Sequence, residues 1–462
     1  MESEEKISIL QFGNGNFLRG FADWIFQQLI NQGLFSGGIH SLQIHNPKPD
    51  DRMLLQKNQY HVWVAGLENG QQVDRIDLIN CIKKYSSIFD SYADYLKIGE
   101  IPDLRYVISN TTEAGIVFDP KDDSFQQIPN TFPAKLTALL FHRFKFFRED
   151  PAKGLQVLPC ELIEKNGDKL KKCIRSYTQL WGLPEEFDQW LNDSCSFYNT
   201  LVDRIVPGFP KDQVEELEQK IGKPDKLIVM AEPYYLWAIE GAEQLQSEIN
   251  WEKADLNIKF VKDLEFYRTR KVRILNGAHT ALVPFAILNG TRTVKEAIKT
   301  PKISQWLKSI IFGEIIPSLS PDSNELERYA TAVLERFANP YLEHQLADIA
   351  LNSISKFKVR ILPSIVAYEN ERGVWPKYLM QSFAALLLFY KGEFQGQKLP
   401  IREDRRFTIF LSNAWQLPNL SSTLDEILKN EQLWETDLSN LKGFKESLLA
   451  AFQELEKTWD LA

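Results

Sequence analysis

Residues 7–20, ISILQFGNGNFLRG, run from an apolar stretch of strand length through a glycine turn into the start of a helix. The apolar stretch predicts a strand, and the apolar spacing over 17–29 predicts the helix. Gly13 and Gly15 allow the backbone to approach a diphosphate, whose charge is attracted by the free N–H groups at the helix start. Arg19 in the first helical turn opposes the helix dipole and so favours a nearby anion, although a surface salt bridge explains it equally. An ordinary strand-to-helix turn that needs two flexible residues also fits the pattern.

The glycine pattern departs from the full dinucleotide fingerprint at two places. Leu18 stands where a third glycine is expected, and Asn46 and Pro47 stand where an acidic residue normally meets the ribose. Lys48 and Arg52 follow closely in sequence and are able to meet a 2′-phosphate. These residues therefore leave both NAD and NADP open.

Predicted strands alternate with helices along the first half of the chain. The strands are 41–46, 60–67 and 105–109, and the second leads into the Asn69-Gly70 pair of a hairpin. This alternation predicts a largely parallel, doubly wound sheet. From about residue 263 the spacing is helical, as at 294–298, 326–337, 361–368, 379–390 and 441–452. We therefore predict an α/β Rossmann-type domain over residues 1–258 and a mainly α-helical substrate and catalytic domain over 259–462.

The composition of the 462-residue chain, 44% apolar and 25% charged, is that of a folded protein with two or more cores. Its 54 Lys and Arg against 62 Asp and Glu give a net charge of −8 without a long basic block, so we expect no nucleic-acid or membrane partner. Four separated cysteines without a C-x-x-C pair predict reduced thiols. The N-terminal sequence MESEEKISIL is acidic where a signal peptide is basic, and no apolar run is long enough to cross a bilayer. We therefore predict a cytoplasmic protein.

The segment 268–290, RTRKVRILNGAHTALVPFAILNG, places Lys271, Asn276 and His279 in an apolar stretch, where polar groups have to be paired or functional. On a helix Asn276 and His279 share a face, while Lys271 lies more than a turn earlier and reaches the same point with its long stem. A lysine desolvated in this way has a lowered pKa, which suits proton exchange with a carbonyl or hydroxyl oxygen. A solvated lysine, a helix irregularity and a core histidine explain the same spacing without chemistry. No metal is predicted, because His279 has no second ligand three or four residues on and His344 is far along the chain.

Three segments, QFGNGNFLRGF at 11–21, SNTTEAG at 109–115 and KVRILNGAH at 271–279, together resemble the mannitol dehydrogenase family of polyol-specific long-chain dehydrogenases. The resemblance implies a zinc-independent, NAD-linked oxidoreductase. It also implies a Rossmann-type domain and a helical domain of the 6-phosphogluconate dehydrogenase type, with the active site between them. The segment PCELIEKNG at 159–167 resembles the branch that acts on keto sugar acids, since a Glu-Leu pair replaces the Asp-Asn pair of many polyol-acting members. The expected partner is a small keto sugar acid, and the oligomeric state is left open.

The resemblance also implies roles for single residues. Lys271 is expected to be the general acid/base, Asn276 and Asn166 to donate hydrogen bonds to the substrate oxygen, and His279 to orient the substrate. The implied cofactor-binding residues are Phe12, Gly13, Asn14, Gly15, Asn16, Phe17, Leu18, Arg19, Asn110 and Thr111. The implied substrate-binding residues are Asp203, Arg204 and Lys356. An ion pair that supports the domain junction explains Asp203 and Arg204 as well.

A keto sugar acid also needs a cation to hold its carboxylate. The candidates are Arg204, Arg273, Lys356, Lys358 and Arg360. Lys356 is preferred because the family places a substrate-side lysine in this region, while a solvated basic face explains 356–360 equally. Two other functions stay open. One is the same chemistry on a different keto sugar acid or on a polyol, and the other is a non-catalytic NAD-binding regulator, whose mark would be the loss of Lys271 or Asn276.

Overall fold

The computed structural model describes residues 6–48, 50–112, 114–249, 251–319 and 324–459. The chain divides into two compact units, one of Met1–Ala65 with Gln72–Tyr267 and the other of Gly66–Gln71 with Arg268–Ala462. Residues 1–5 of the acidic N-terminal sequence and Glu113 of the SNTTEAG segment lie outside the described residues.

A parallel sheet forms the centre of the first unit. The strands of this unit are β1 (Ile7–Phe12), β2 (Gly38–Gln43), β3 (Tyr60–Glu68), β4 (Gln71–Ile79), β5 (Ile82–Ser87), β6 (Tyr106–Ser109), β7 (Gln156–Pro159), β8 (Ser196–Phe197), β9 (Thr200–Asp203), β10 (Val229–Ala231), β11 (Leu236–Glu240) and β12 (Ile258–Val261). The central sheet has the order β5-β2-β1-β6-β7-β8, and each of its pairings is parallel. Renumbered among themselves, these six strands follow the doubly wound order of dinucleotide-binding folds. The predicted Rossmann-type domain is thus confirmed.

Both faces of this sheet are buried. The helices of the first unit are α1 (Asn16–Gly20), α2 (Ala22–Asn31), α3 (Arg52–Leu55), α4 (Tyr92–Lys97), α5 (Phe132–Phe146), α6 (Asn166–Leu180), α7 (Glu185–Ser194), α8 (Val214–Ile221) and α9 (Glu243–Glu248). Successive strand residues point to opposite faces, so Ile9 and Ile39 pack in one buried cluster and Leu10 and Leu42 in another. Burial on both faces explains the continuous apolar run of β1.

Two small sheets, β10-β3-β4 and β12-β11-β9, complete the first unit. Strands β3 and β4 meet at the predicted hairpin turn, where Asn69 and Gly70 have φ of 52° and 74°, the positive values that a two-residue turn requires. The tip of this hairpin belongs to the second unit. There the backbone N–H groups of Asn69 and Gly70 donate to the Glu335 carboxylate at 3.1 and 2.7 Å.

Two elements near the glycine turn differ from their predicted bounds. The helix predicted over 17–29 is interrupted between α1 and α2, because Phe21 leaves helical geometry at φ −127° and ψ −80°. The preceding Gly20 packs so tightly that an added Cβ would lie 2.9 Å from Val206 Cγ1. The strand predicted over 41–46 ends at Gln43, since the chain turns at Asn46 with φ of 64°.

The second unit is mainly helical, as predicted. Its helices after α10 (Glu265–Arg270) are α11 (Gly277–Leu288), α12 (Val294–Lys299), α13 (Pro301–Ile310), α14 (Ile316–Leu319), α15 (Asn324–Phe337), α16 (Leu346–Ile349), α17 (Ser353–Arg360), α18 (Leu362–Arg372), α19 (Lys377–Phe389), α20 (Arg405–Ala414), α21 (Leu420–Leu428), α22 (Glu431–Trp434) and α23 (Phe444–Thr458). Two π-helices, Lys271–Asn276 and Ile311–Ile315, and a short hairpin of β13 (Glu393–Phe394) and β14 (Gln397–Lys398) accompany them. Helix α11 packs against α13, α16, α17 and α19. In the described part of the chain, no helix combines the length and the apolar character that crossing a bilayer demands.

Candidate active site

The glycine turn lies where the strand order of the central sheet reverses, between β1 and β6. Gly13 has φ of 108°, which favours glycine, and its N–H donates to the Leu42 carbonyl at 2.8 Å. A Cβ on Gly13 would lie 3.8 Å from the Asn110 carbonyl oxygen. The turn after β1 is thus packed beside the loop after β6. In open α/β sheets the crevice at this reversal is where ligands bind.

The outer part of the turn is open. Gly15 and Asn16 are exposed, and a Cβ on Gly15 would meet no atom within 4 Å. Gly15 also precedes α1 without any side-chain cap, so the first N–H groups of this helix are not used by a capping side chain. Asn14 Nδ2 donates to the Tyr85 hydroxyl at 3.4 Å. An exposed glycine turn with uncapped N–H groups at the strand reversal fits the diphosphate of a dinucleotide.

Three residues of the predicted cofactor set turn inward. Phe12 is fully buried between Tyr95 and Phe132, and Leu18 is buried in the core. Phe17 is half-buried and stacks on Phe21 with centroids 5.0 Å apart. These side chains support the turn from below and do not face a ligand.

Arg19 is also buried, which corrects the expectation that it meets an anion. Its Nη2 donates to Asn16 Oδ1 at 2.6 Å, and its Nη1 donates to the Leu227 carbonyl. The guanidinium therefore positions Asn16 at the turn instead of facing a phosphate.

The loop after β6 is held by a buried acid that sequence reasoning did not assign to the site. Thr111 donates to Glu161 Oε1 from its backbone N–H at 3.0 Å and from Oγ1 at 2.9 Å, and Ser109 Oγ donates to Oε2 at 3.1 Å. Asn110 Nδ2 donates to the Cys160 carbonyl at 2.7 Å. Burial raises the pKa of Glu161, while the hydrogen bonds from Thr111 oppose that shift. The sequence signal for this role is an acidic residue, Glu161, placed two positions after the apolar strand β7.

Asn166 does not offer the donor that was expected of it. It is fully buried, and its Nδ2 donates to the carbonyls of Pro159, Glu161 and Thr200 at 2.9, 3.1 and 3.2 Å. Its Oδ1 accepts from the backbone N–H of Thr200 at 2.8 Å and of Gly167 at 2.9 Å. Asn166 therefore fixes the chain after β7, and its amide is committed to the backbone.

A polar cavity of about 330 Å³ lies beyond the end of β2. It is lined by Asn14, Gln43, His45, Asn46, Lys48, Asp50 and Arg52. Gln43 Nε2 fixes the loop by donating to the carbonyls of Asn46 at 2.6 Å and Lys48 at 2.9 Å. Arg52 makes two hydrogen bonds of 2.7 Å to the Asp50 carboxylate, and these lower the pKa of Asp50. Arg52 is thus already paired with an acid.

The second unit carries Lys271 and Asn276 at the two ends of a π-helix. In an α-helix of 3.6 residues per turn, residues five apart point about 140° away from each other. The i→i+5 hydrogen bonds of a π-helix place residues five apart one turn above each other. The π-helix therefore brings Lys271 and Asn276 to the same face. No described residue forms a hydrogen bond with the Asn276 side chain, so its amide is available as a donor.

His279 follows on α11 and is held between aromatic rings. It stacks on Phe337 with ring centroids 3.9 Å apart, and His344 lies edge-on at 6.3 Å. Burial, together with the nearby His344, Arg336 and Arg360, lowers the pKa of His279 well below its ordinary value. Its Nε2 is buried and has no hydrogen-bond partner in the described ranges. The lowered pKa favours the neutral ring, which carries one donor and one acceptor nitrogen.

Arg204 uses two of its three guanidinium nitrogens on backbone carbonyls, and its buried Nη2 has no hydrogen-bond partner among the described residues. Its Nε donates to the Glu232 carbonyl at 2.9 Å and its Nη1 to the Gly20 carbonyl at 2.8 Å. The guanidinium lies 4.3 Å from the centroid of the Trp24 ring, and burial lowers the pKa of Arg204 to about 10. Asp203, which is also predicted to bind the substrate, is buried at the end of β9. Arg204 contributes to the packing of the first unit.

Two of the remaining candidates are also engaged elsewhere. Lys358 pairs with Glu435 at 2.6 Å. Arg273 Nε donates to Ser364 Oγ at 2.6 Å, and burial lowers the pKa of Arg273 to about 10. Since Arg273 is two positions from Lys271, it does not share the lysine's helix face.

Lys356 and Arg360 lie one turn apart on α17, beside α11. Arg360 Nη1 donates to Thr280 Oγ1 at 3.3 Å, next to His279 in sequence, and Lys356 Nζ donates to the Ile349 carbonyl at 2.8 Å. Burial and the Arg360 cation lower the pKa of Lys356. Like charges one turn apart repel, and an anion between them removes that repulsion. The structure thus places two cations, Lys356 and Arg360, on one face of α17, and Arg360 reaches Thr280 on α11.

The described residues contain no group of three or more His, Cys, Asp or Glu side chains arranged to hold a metal ion.

Comparison with known proteins gives a consistent match over the chain. Residues 7–253 match the mannitol dehydrogenase Rossmann domain, and 263–456 match the mannitol dehydrogenase C-terminal domain. The chain is 42% identical over 435 residues to altronate oxidoreductase of Bacillus subtilis, covering 94% of this chain and 89% of that protein. It is 41% identical over 449 residues to altronate oxidoreductase of Enterobacter sp., covering 95% and 92%. A solved structure of Pseudomonas fluorescens mannitol 2-dehydrogenase with NAD and D-mannitol has the same fold, with a TM-score of 0.69, 22% identity and coverage of 98% and 93%.

Proposed function

The chain belongs to the mannitol dehydrogenase family and is an oxidoreductase that acts on CH–OH groups, and we propose that it reversibly reduces D-tagaturonate to D-altronate with NADH. The observation that carries this proposal is the π-helix that aligns Lys271 with Asn276, followed by His279, in a chain similar to altronate oxidoreductases. The reaction would belong to the breakdown of hexuronates.

We place the cofactor at the strand reversal of the first unit. The open turn at Gly13 and Gly15 would receive the diphosphate, with Asn110 and Thr111 forming the neighbouring wall. When bound, NADH supplies the hydride that the ketone carbon accepts. The Arg52–Asp50 ion pair favours NAD over NADP, because a 2′-phosphate would meet a carboxylate and a cation that is already neutralised. We also propose that the dinucleotide-binding part ends near residue 258.

The π-helix carries the residue that transfers the proton. In the reductive direction the Lys271 ammonium gives a proton to the ketone oxygen, and in the oxidative direction the neutral amine takes it back. The Asn276 amide donates to the same oxygen and so stabilises the negative charge that develops there. The neutral His279 ring orients the substrate through its buried Nε2. Asn166 supports the loop after β7 in place of the donor role first expected.

The carboxylate of the keto sugar acid is assigned to Lys356 and Arg360. Two cations one turn apart match the two oxygens of a carboxylate, and Arg360 reaches Thr280 on the helix that carries His279. A fructuronate reductase would use the same residues, whereas a mannitol-type enzyme would need no cation here. A non-catalytic NAD-binding regulator is disfavoured because Lys271 and Asn276 are both present.

The test is NADH oxidation, followed by the absorbance of the cofactor, with tagaturonate, fructuronate and fructose and with or without EDTA. Turnover on tagaturonate that is indifferent to EDTA supports the proposal. Preference for fructuronate or fructose keeps the proton chemistry but replaces the substrate. NADH binding without turnover on any of the three would favour the regulator.

A further inference from the structure

Glu161 is a buried acid that the proposed chemistry does not use. Its side chain is 2% exposed and forms no ion pair in the part of the chain that the structure describes. An unpaired buried carboxylate is costly unless hydrogen bonds compensate it. Here the donors to both carboxylate oxygens come from one short stretch, Ser109 to Thr111.

The stretch that Glu161 holds is strained. Thr112 has φ of 115°, a conformation that a β-branched residue rarely adopts and that persists only when its surroundings impose it. The turn closes through the Gly115 N–H, which donates to the Thr112 carbonyl at 3.1 Å. A side chain at Gly115 would overlap the Thr111 side chain. Thr111 is therefore fixed on one side by its hydrogen bonds to Glu161 and on the other by the close packing of Gly115.

Glu161 is itself fixed by its own backbone. Its carbonyl accepts from Asn166 Nδ2 at 3.1 Å, and the preceding Cys160 carbonyl accepts from Asn110 Nδ2 at 2.7 Å. The chain after β7 thus holds the chain after β6 at two consecutive residues. The Asn110 end of this assembly packs beside the Gly13 turn.

We propose that Glu161 is a positioning residue for the dinucleotide: by holding Thr111 it sets the wall of the crevice that Asn110 and Thr111 form beside Gly13. The inference rests on the proposed function, because it assumes that this crevice binds NADH. Glu161 itself does not touch the cofactor. Its effect passes through the two hydrogen bonds to Thr111.

The experiment compares Glu161→Gln, Thr111→Val, the double variant and Thr423→Val. The readouts are the Kd for NADH, from the fluorescence of the bound cofactor, and hydrogen exchange of the segment 110–116 without cofactor. Glu161→Gln and Thr111→Val should each weaken NADH binding about ten-fold, as expected for the loss of hydrogen bonds to a charged group. The double variant should be no weaker than either single one, because both remove the same interaction. Glu161→Gln should also speed exchange of 110–116.

Thr423→Val is the matched control, since it makes the same change at a buried threonine of the second unit, whose Oγ1 donates to the Ala414 carbonyl at 3.0 Å. Its Kd should stay within about two-fold of the wild type. Unchanged NADH binding by Glu161→Gln, or additive effects in the double variant, would overturn the inference while leaving the proposed function standing. Wild-type protein that binds neither NADH nor NADPH would overturn both. If Glu161→Gln does not fold, the comparison of Thr111→Val with Thr423→Val decides, because equal effects of these two on the Kd for NADH contradict the inference.

Discussion

Replacing Lys271 by alanine removes the proposed proton donor from the π-helix of the second unit. We expect kcat to fall by about 10² to 10⁴, the usual worth of a positioned acid/base, with the Kd for NADH nearly unchanged. Steady-state kinetics and NADH fluorescence measure the two quantities. Lys299→Ala, at an exposed lysine that ends α12, is the control and should keep full activity. A parallel loss of kcat and NADH affinity would make Lys271 a structural residue.

Lys356→Ala tests the assignment of the carboxylate. We expect KM for tagaturonate to rise about ten-fold or more, because a charge-assisted hydrogen bond is lost, while kinetics with fructose, which has no carboxylate, change little. Lys358→Ala is the matched control, since this lysine lies on the same helix but pairs with Glu435. Equal losses on tagaturonate and fructose would show that Lys356 does not bind the carboxylate.

Asp50→Asn tests the choice of cofactor. The neutral side chain no longer holds Arg52 as an ion pair, so Arg52 and Lys48 become available to a 2′-phosphate. The ratio of kcat/KM for NADPH to that for NADH should rise about ten-fold. Asp51→Asn, at the exposed neighbouring acid, should leave the ratio unchanged. A ratio that stays constant in both variants would place cofactor selection elsewhere.

Residue type and spacing make Lys271, Asn276 and His279 candidates, because polar groups stand out in an apolar helix, and their roles stay predictions. Type and spacing were insufficient for Arg19 and Arg204. Both arginines lie next to the predicted site in sequence, but their guanidinium groups turn to backbone carbonyls that are distant in sequence. The direction of a long side chain depends on such partners, and a local pattern does not contain them.

At the scale of elements, apolar spacing does not predict that the helix Lys271–Asn276 has the hydrogen-bond pattern of a π-helix. The segment KVRILN indicates a helix, but its side chains do not distinguish i→i+4 from i→i+5 hydrogen bonds. The difference decides the site, since only the wider turn stacks Lys271 with Asn276. The helix was therefore predictable from the sequence, and the alignment of its two candidate catalytic residues was not.

A buried carboxylate at the start of α19 makes the free energy of unfolding depend on pH. Glu314, on the second π-helix, accepts from the N–H groups of Tyr378 at 2.8 Å and Leu379 at 2.7 Å, at a helix start that has no side-chain cap of its own. Burial raises the pKa of Glu314 to about 7. Because the folded pKa lies above the unfolded value, this contribution is full below about pH 4.5 and is lost as the pH rises through 7.

Glu314→Gln removes that titration. The free energy of unfolding of the variant relative to the wild type should therefore rise between pH 5 and pH 8, by up to about 3 kcal/mol. Urea unfolding at several pH values measures this difference, in which other titrating groups cancel. The variant has a constant offset, because an amide oxygen replaces only one of the two acceptors. A difference that does not depend on pH would mean that Glu314 is ionised throughout this range.

At the scale of the whole molecule, the alternation of strands and helices followed by long helical spacings was enough to predict the fold class. The sequence did not predict that the tip of the β3–β4 hairpin, Gly66–Gln71, is part of the second unit. Asn69 and Gly70 mark the turn, but the Glu335 carboxylate that holds their N–H groups lies on α15. A contact between residues so far apart in sequence leaves no periodic pattern in either segment.

We also expect the two ligands to protect different segments from hydrogen exchange, the cofactor in the first unit and the substrate in the second. Hydrogen exchange measured on individual peptides tests this. NADH should slow exchange in 7–20 and 106–112, since ligand binding suppresses the local openings that allow exchange. Adding altronate to the NADH complex, in which both molecules are reduced and cannot react, should additionally protect 268–288 and 353–360. Mannitol in place of altronate is the control and should leave 353–360 unprotected, because it has no carboxylate for Lys356 and Arg360. Protection of 353–360 by NADH alone would instead assign these cations to the cofactor.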